Sequence, residues 1–174
     1  MTEIRTERFV MRQPALEDAD EVTRLVADPR IYRNVARIPP EQSREDTGRW
    51  ILNALRGEEL GTDQVFLILK EGAIIGTVGA HRPAPSEPFE IGYWIAPDHW
   101  GHGIATEAAH ALVTWLEARD QAEKLISGHF RDNPASGRVL EKLGFVASHE
   151  GPVYCVGRGC EVDHVFMVRK AVSA

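Results

Sequence analysis

Three stretches of this chain hold residues whose types and spacing could do chemistry. The first is Glu90, a lone carboxylate in Phe89–Ile95, a run of aromatic and β-branched residues around one glycine. Such a run favours a strand. Side chains alternate along a strand, so Glu90, Gly92 and Trp94 share one face and Phe89, Ile91, Tyr93 and Ile95 the other. A carboxylate on an otherwise apolar, central strand is partly desolvated, the condition under which it becomes a useful proton acceptor near neutral pH. The alternative is a Glu at the strand entrance, solvated or paired with Arg82.

The second stretch is Trp100-Gly-His-Gly-Ile-Ala105, which leads into Ala105, Ala108, Ala109, Leu112, Trp115 and Leu116 at helical spacing. The first turn of a helix has amides without partners, usually capped by a preceding Ser, Thr, Asp or Asn. Here Gly101 and His102 stand in that place. Bare glycines allow close approach of a ligand to the main chain, and the positive end of the helix dipole favours an anion, most simply a phosphate. A tight turn without a ligand is the plainer alternative. The third stretch is the short helix opened by Asn133-Pro134. Asn is a good cap and Pro suits the first helical position. Ser136 shares an inward stripe with Val139, Leu140 and Leu143, where a hydroxyl needs a partner. That partner is either a ligand or the local first turn.

The remaining elements must position these three. Thr6–Gln13 alternates apolar and charged residues, as an opening strand does, and Pro14 stops it. Residues 16–27 form an amphipathic helix with acids in its first turn. A loop spans 30–42, and a second helix begins after the cap Ser43, burying Trp50, Ile51, Ala54 and Leu55. Residues 64–70 and 73–81 are strands joined at Glu71-Gly72, a hairpin signal. A Pro-rich loop at 83–88 leads into Phe89–Ile95. Lys124–Phe130 is another strand, and the Asn133 helix ends at Gly144, a left-handed position. Residues 145–147 and 162–168 are closing strands. The sum is a mixed α/β sheet with helices on both faces.

The chain of 174 residues carries a formal charge of −6 and a pI near 5.6. Its length suits one domain, 1–174, with its own core. The acidity argues against a nucleic-acid partner held by a basic surface. Cys155 and Cys160 lie close together without matching Cys or His spacing, which fits a reduced pair rather than a zinc site or disulfide framework. No apolar run suggests a signal peptide or a membrane span, so a cytoplasmic location is expected. No metal is expected, and neither is a P-loop or dinucleotide site, since no Gly-Lys-Ser/Thr run or matching glycine spacing is present.

Taken together, Thr6-Glu-Arg-Phe-Val-Met-Arg, Ile75-Gly-Thr, Glu90-Ile-Gly-Tyr-Trp, Trp100-Gly-His-Gly-Ile-Ala-Thr-Glu-Ala and Asn133-Pro-Ala-Ser-Gly-Arg-Val-Leu-Glu-Lys-Leu-Gly-Phe145 resemble the GNAT-type N-acetyltransferases. Within them they look like the branch named after the ribosomal-protein acetyltransferases RimJ and RimL. Order and spacing over nearly the whole chain carry the resemblance. The superfamily's cofactor loop usually starts with Arg or Gln. Trp100 stands there instead, while Gly103 and Ala105 match.

The resemblance implies a central, mostly antiparallel sheet of about seven strands, slightly above the usual sheet size. The strands at 89–95 and 124–130 splay to admit the pantetheine arm of acetyl-coenzyme A. It also implies cofactor contacts from Trp94, Ile95, Ala96, Trp100, Gly101, His102, Gly103, Ile104, Ala105, Thr106, Asn133 and Ser136. The expected reaction is direct acetyl transfer to a primary amine, with Glu90 as base and Ser136, or alternatively Tyr154, protonating the departing thiolate. His129 could relay a proton or be structural. Tyr93 and Trp94 read as core or cleft lining. The acceptor side should be built by the loops at 30–42 and 83–88 with the second helix. A protein N-terminal amine is the branch's usual acceptor, and an amino acid, polyamine or antibiotic is the alternative. A non-catalytic acetyl-coenzyme A sensor is the competing class. The protein is expected to be a monomer or homodimer.

Overall fold

The computed structural model describes residues 1–120 and 122–171. Among the described residues eight strands form one sheet: β1 (Glu3–Arg5), β2 (Val10–Arg12), β3 (Asp63–Lys70), β4 (Ala73–His81), β5 (Phe89–Ile95), β6 (Lys124–Phe130), β7 (Val146–Cys155) and β8 (Cys160–Lys170). Their order across the sheet is β1-β2-β3-β4-β5-β6-β8-β7, and every neighbouring pair is antiparallel except β5 with β6. The count exceeds the expected seven because Glu3–Arg5, ahead of the expected opening strand Thr6–Gln13, is a strand of its own, and that opening strand is shortened to Val10–Arg12. Thr6 and Phe9 close a turn, with the Phe9 amide donating to Thr6 Oγ1 at 3.0 Å, so β1 folds back on β2.

The helices are α1 (Ala19–Val26), α2 (Pro29–Tyr32), α3 (Arg44–Leu60), α4 (Ile104–Asp120) and α5 (Pro134–Lys142). The short α2 lies inside what the sequence suggested was loop. Asp28 nucleates it by accepting from the Arg30 amide at 2.9 Å, ahead of Pro29 in the first turn. α3 starts as expected: Ser43 Oγ accepts from the Asp46 amide, and Asp46 accepts back from the Ser43 amide, a capping box. Glu71 and Gly72 both take positive φ (51° and 83°), which gives the β3–β4 turn the hand that matches strand twist.

Burial divides the molecule into two layers on either side of the sheet. The larger core includes Phe66, Phe89, Leu112, Leu116, Leu125, Leu140 and Phe145, so it lies beneath α4 and α5. A smaller cluster on the opposite face joins Val22, Val26 and Ile31 to Leu67, with Trp50 and Trp94 packed against it. β5 therefore buries Phe89, Ile91 and Ile95 in the main core and turns Glu90, Gly92 and Trp94 to the other face.

The one parallel junction positions the site. β5 and β6 are paired only at Phe89–Leu125 and Glu90–Ile126. Just beyond, the buried Ser127 hydroxyl donates to the Ile91 carbonyl at 2.7 Å, so a side chain replaces the missing ladder bond. Past that point the two strands separate, and β6 continues instead with β8.

Candidate active site at the opening of the sheet

Where β5 leaves β6, two cavities lie on either side of β5's far end. One is a slot of about 440 Å³ between β5, the turn at 99–103, the start of α4, and α5. The other is a wider cleft of about 780 Å³ under α1, α3 and residues 35–39, floored by β3, β4 and β5. Val35, Tyr93 and Trp94 line both, so the cavities meet at the sheet's opening.

The slot's turn is shaped by its glycines. Gly101 and Gly103 have φ of 79° and 72°, a conformation that side-chain-bearing residues rarely adopt. A Cβ at Gly101 would meet nothing within 4 Å, so the surface above it is open. Trp100, in the place where the superfamily has Arg or Gln, acts as a brace. Its indole nitrogen donates to the Ile95 carbonyl at 2.7 Å and pins the turn to β5. On the outer side, Arg8 donates to the His102 carbonyl at 2.8 Å and pairs with Glu107 at 2.7 Å. These two ties hold the turn while Gly103 and the first residues of α4 line the slot, and a helix start of this kind suits a diphosphate. Cations that Trp100 does not provide stand elsewhere in the slot: Arg30, which is paired with Asp28, lines it, as do Arg138 and Lys142. Helical spacing could have flagged the last two, since they lie one turn apart on α5 near Ser136.

Ten of the residues expected to touch the cofactor line this slot: Trp94, Ile95, Trp100, Gly101, Gly103, Ile104, Ala105, Thr106, Asn133 and Ser136. Ala96 and His102 do not. Ala96 is buried and hydrogen-bonds to the Ile75 carbonyl through its amide, and the His102 ring turns back to the Trp100 carbonyl at 2.8 Å. Asn133 stands at the cap position of α5 but makes no side-chain capping bond, contrary to expectation. Its amide side chain is therefore left for the slot it lines.

Ser136 has the partner its inward position requires. Tyr93 crosses the opening, its hydroxyl 2.9 Å from Ser136 Oγ and 3.1 Å from the Ser136 carbonyl. Burial pushes the Tyr93 hydroxyl up to about 12, against the smaller opposing effect of the Ser136 hydrogen bond. A hydroxyl of that strength donates hydrogen bonds at neutral pH but does not give up its proton. Tyr93 is thus more than cleft lining, and its i, i+2 relation to Ile91 and Ile95 on the core face concealed it. Tyr154 lies on the edge strand β7, is 58% exposed and lines neither cavity, whereas Ser136 lines the slot. His129 also lies outside both cavities. Its Nδ1 is 2.9 Å from the Phe130 carbonyl and its ring packs on Gly137, the structural role.

The cleft contains Glu90 together with Arg37, Asp46, Arg49, Asp63 and His81. Glu90 is exposed on the cleft floor rather than partly buried as expected: it stands beside His81, and the adjacent Gly79–Gly92 pair provides no side chain to cover it. The loop at 83–88 contributes nothing to the lining. Residues 35–39 do, held by the β7–β8 turn: the Val156 amide donates to the Ala36 carbonyl at 2.9 Å, and Arg158 Nε donates to the Arg33 carbonyl at 2.6 Å. Gly157 allows this contact, because a Cβ there would lie 2.0 Å from the Tyr32 carbonyl. Among the described residues no group of three or more His, Cys, Asp or Glu side chains is arranged to hold a metal ion.

The acetyltransferase (GNAT) domain pattern matches residues 8–146, spanning both cavities. The chain belongs to the GNAT acetyltransferase family. It is 31% identical over 106 residues to the ribosomal-protein-serine acetyltransferase of Escherichia coli, covering 60% of this chain and 59% of that relative. The chain thus spans under two thirds of that protein in the aligned region. It is 30% identical over 148 residues to the uncharacterized N-acetyltransferase YoaA of Bacillus subtilis, covering 82% and 81%. Among solved structures, RimL, a ribosomal L7/L12 α-N-protein acetyltransferase in complex with coenzyme A, superposes with a TM-score of 0.85 at 18% identity, covering 97% of this chain and 98% of that one. At that identity the likeness is one of fold, and the GNAT fold is what the sheet order, its opening and the glycine turn together make. The family's donor is acetyl-coenzyme A, and the slot of this GNAT chain fits it: open glycines at a helix start for the diphosphate, Arg138 and Lys142 in its lining, and the Tyr93–Ser136 pair where it meets the cleft.

Proposed function

We propose that this GNAT protein transfers the acetyl group of acetyl-coenzyme A directly to the N-terminal amine of a protein. The meeting of slot and cleft at Val35, Tyr93 and Trp94 carries the reading, because it brings a donor on one side of β5 against an acceptor on the other. Bringing the two into line supplies much of the rate. The bound donor supplies an activated acyl group. Glu90, on the acceptor side, takes the proton that the attacking amine must lose, acting across the bare Gly79–Gly92 floor. Ser136, held by Tyr93, donates a hydrogen bond at the slot's exit, where negative charge develops on the leaving sulfur.

A peptide acceptor is supported by the cleft's width and by a floor without side chains at Gly79 and Gly92, on which a main chain can lie. The likeness to the ribosomal-protein-serine acetyltransferase points the same way. The test is thiol release from acetyl-coenzyme A with N-terminal peptides, N-blocked peptides and small amines, read by product mass spectrometry. Acetylation of free but not blocked N-termini is expected. Turnover of small amines alone would replace the protein acceptor with a metabolite, and binding of acetyl-coenzyme A without turnover of any amine would leave a sensor.

A further inference from the structure

Beyond Glu90, the cleft contains a second arrangement for handling protons. In the row after Gly79 and Gly92, three side chains stand side by side on adjacent strands: Asp63 on β3, His81 on β4 and Glu90 on β5. All three line the cleft. Asp63 Oδ1 is 2.8 Å from His81 Nδ1, and its other oxygen accepts from the Thr62 hydroxyl at 2.9 Å. An ionised carboxylate only accepts, so Nδ1 carries the proton and the lone pair is left on Nε2, on the ring edge away from Asp63. Directly paired residues of antiparallel strands have Cα atoms about 4.5–5.5 Å apart, so the His81 and Glu90 side chains, which are not hydrogen-bonded to each other, are close enough for one water to bridge them.

We propose that His81, oriented by Asp63, is the second station of a proton path that begins at Glu90 and ends in solvent. The proposal rests on the acetyl-transfer reading. As the amine nitrogen bonds to the acetyl carbon and the carbon–sulfur bond breaks, the nitrogen's proton passes to Glu90. It then moves to His81 Nε2, giving an imidazolium facing Asp63, and leaves to water, while the sulfur departs with its electron pair. His81 is fit for the last step because its side chain is 46% exposed, whereas that of Asp63 is 20% exposed.

A simple tie between β3 and β4 would not need this construction, since Asp63 and His81 are already paired through the backbone register. The carboxylate has also been given room. Gly57, buried inside α3, would place a Cβ 1.9 Å from Asp63 Oδ2, so α3 carries a glycine, unfavourable in a helix, where any side chain would displace that oxygen. The other charged groups on the cleft are Arg37 and the α3 pair Asp46 and Arg49, which bind each other. None is hydrogen-bonded to the imidazole.

The experiment compares pH–rate profiles across roughly pH 6–9 for the unaltered protein, His81→Gln, His81→Ala, Asp63→Asn and Glu90→Gln, using one amine that the unaltered protein acetylates. His81→Gln should lower kcat about tenfold, less than loss of a primary base, with KM for acetyl-coenzyme A unchanged. The deficit should narrow as pH rises and hydroxide takes over the relay. Imidazole should restore His81→Ala but not Glu90→Gln. Asp63→Asn should behave like His81→Gln, because an amide can donate to Nδ1 and so move the proton to Nε2. A wild-type profile for a folded His81→Gln, or no rescue of a folded His81→Ala, overturns the relay alone. Absence of amine turnover by the unaltered protein overturns the relay together with the acetyl-transfer reading.

Discussion

The slot and the cleft are built in opposite ways. The slot draws almost all its lining from two contiguous stretches, 93–106 and 133–142, with a few residues of α2 and its following loop. Much of its chemistry belongs to the main chain: positive-φ glycines and the first amides of a helix. The cleft is assembled from α1, residues 35–39, α3 and three strands, and its chemistry belongs to side chains that meet only through strand register. A main-chain site tolerates little change of conformation and is indifferent to many side chains. A side-chain site behaves in the reverse way, and this is how one fold can keep its donor while changing its acceptor.

The sharpest break in that contrast is Gly103→Val. A β-branched residue at φ 72° is strained by about 1–3 kcal/mol and would close the approach to the α4 amides. Coenzyme A affinity should fall roughly 10²-fold by calorimetry, at about 1.4 kcal/mol per tenfold, with peptide binding unchanged. Glu90→Gln should do the converse, leaving coenzyme A affinity intact and lowering kcat by about 10²-fold. Equal loss of cofactor binding in this variant would merge the two regions that the geometry separates. Ser136→Ala and Tyr93→Phe should each cost about tenfold in kcat/KM. Because both break one hydrogen bond, the double variant should be little worse than either single change. Additive losses would show that the two hydroxyls act independently.

Trp50→Ala, on α3 above the cleft, should raise the acceptor KM severalfold and leave that for acetyl-coenzyme A alone. The smallest effect concerns neither region. Desolvation and the neighbouring His129 hold His164 below its ordinary pKa. The unfolded chain then binds more protons below about 6.5, so this contribution to stability is complete above that pH and is lost as pH falls. Melting temperatures taken from about pH 7.5 down to 5 should decline, and His164→Leu should flatten that part of the slope.

Much of the slot was legible in the sequence because local rules decide it. Gly101 and Gly103 announced a helix start without a cap, Asn133-Pro134 announced α5, and alternation along 89–95 placed Glu90 opposite the core. The same local rules misled where a tertiary contact took over. Asn133 reads as a capping side chain but makes no capping bond, and His102 reads as part of a ligand turn but faces the Trp100 carbonyl. Glu90 reads as desolvated, yet it is exposed beside His81 and the bare Gly79–Gly92 pair.

The sequence by itself determined most of the strands and helices in their order, the glycine turn and the family, because periodicity, capping and turn chemistry act within a few residues. Only the tertiary structure decided that Ser127 ends the β5–β6 ladder, that Tyr93 reaches Ser136 across 43 residues, and that Asp63, His81 and Glu90 stand in one row. Each of these depends on which strand lies beside which and in what register. A one-residue slip would send every such side chain to the opposite face.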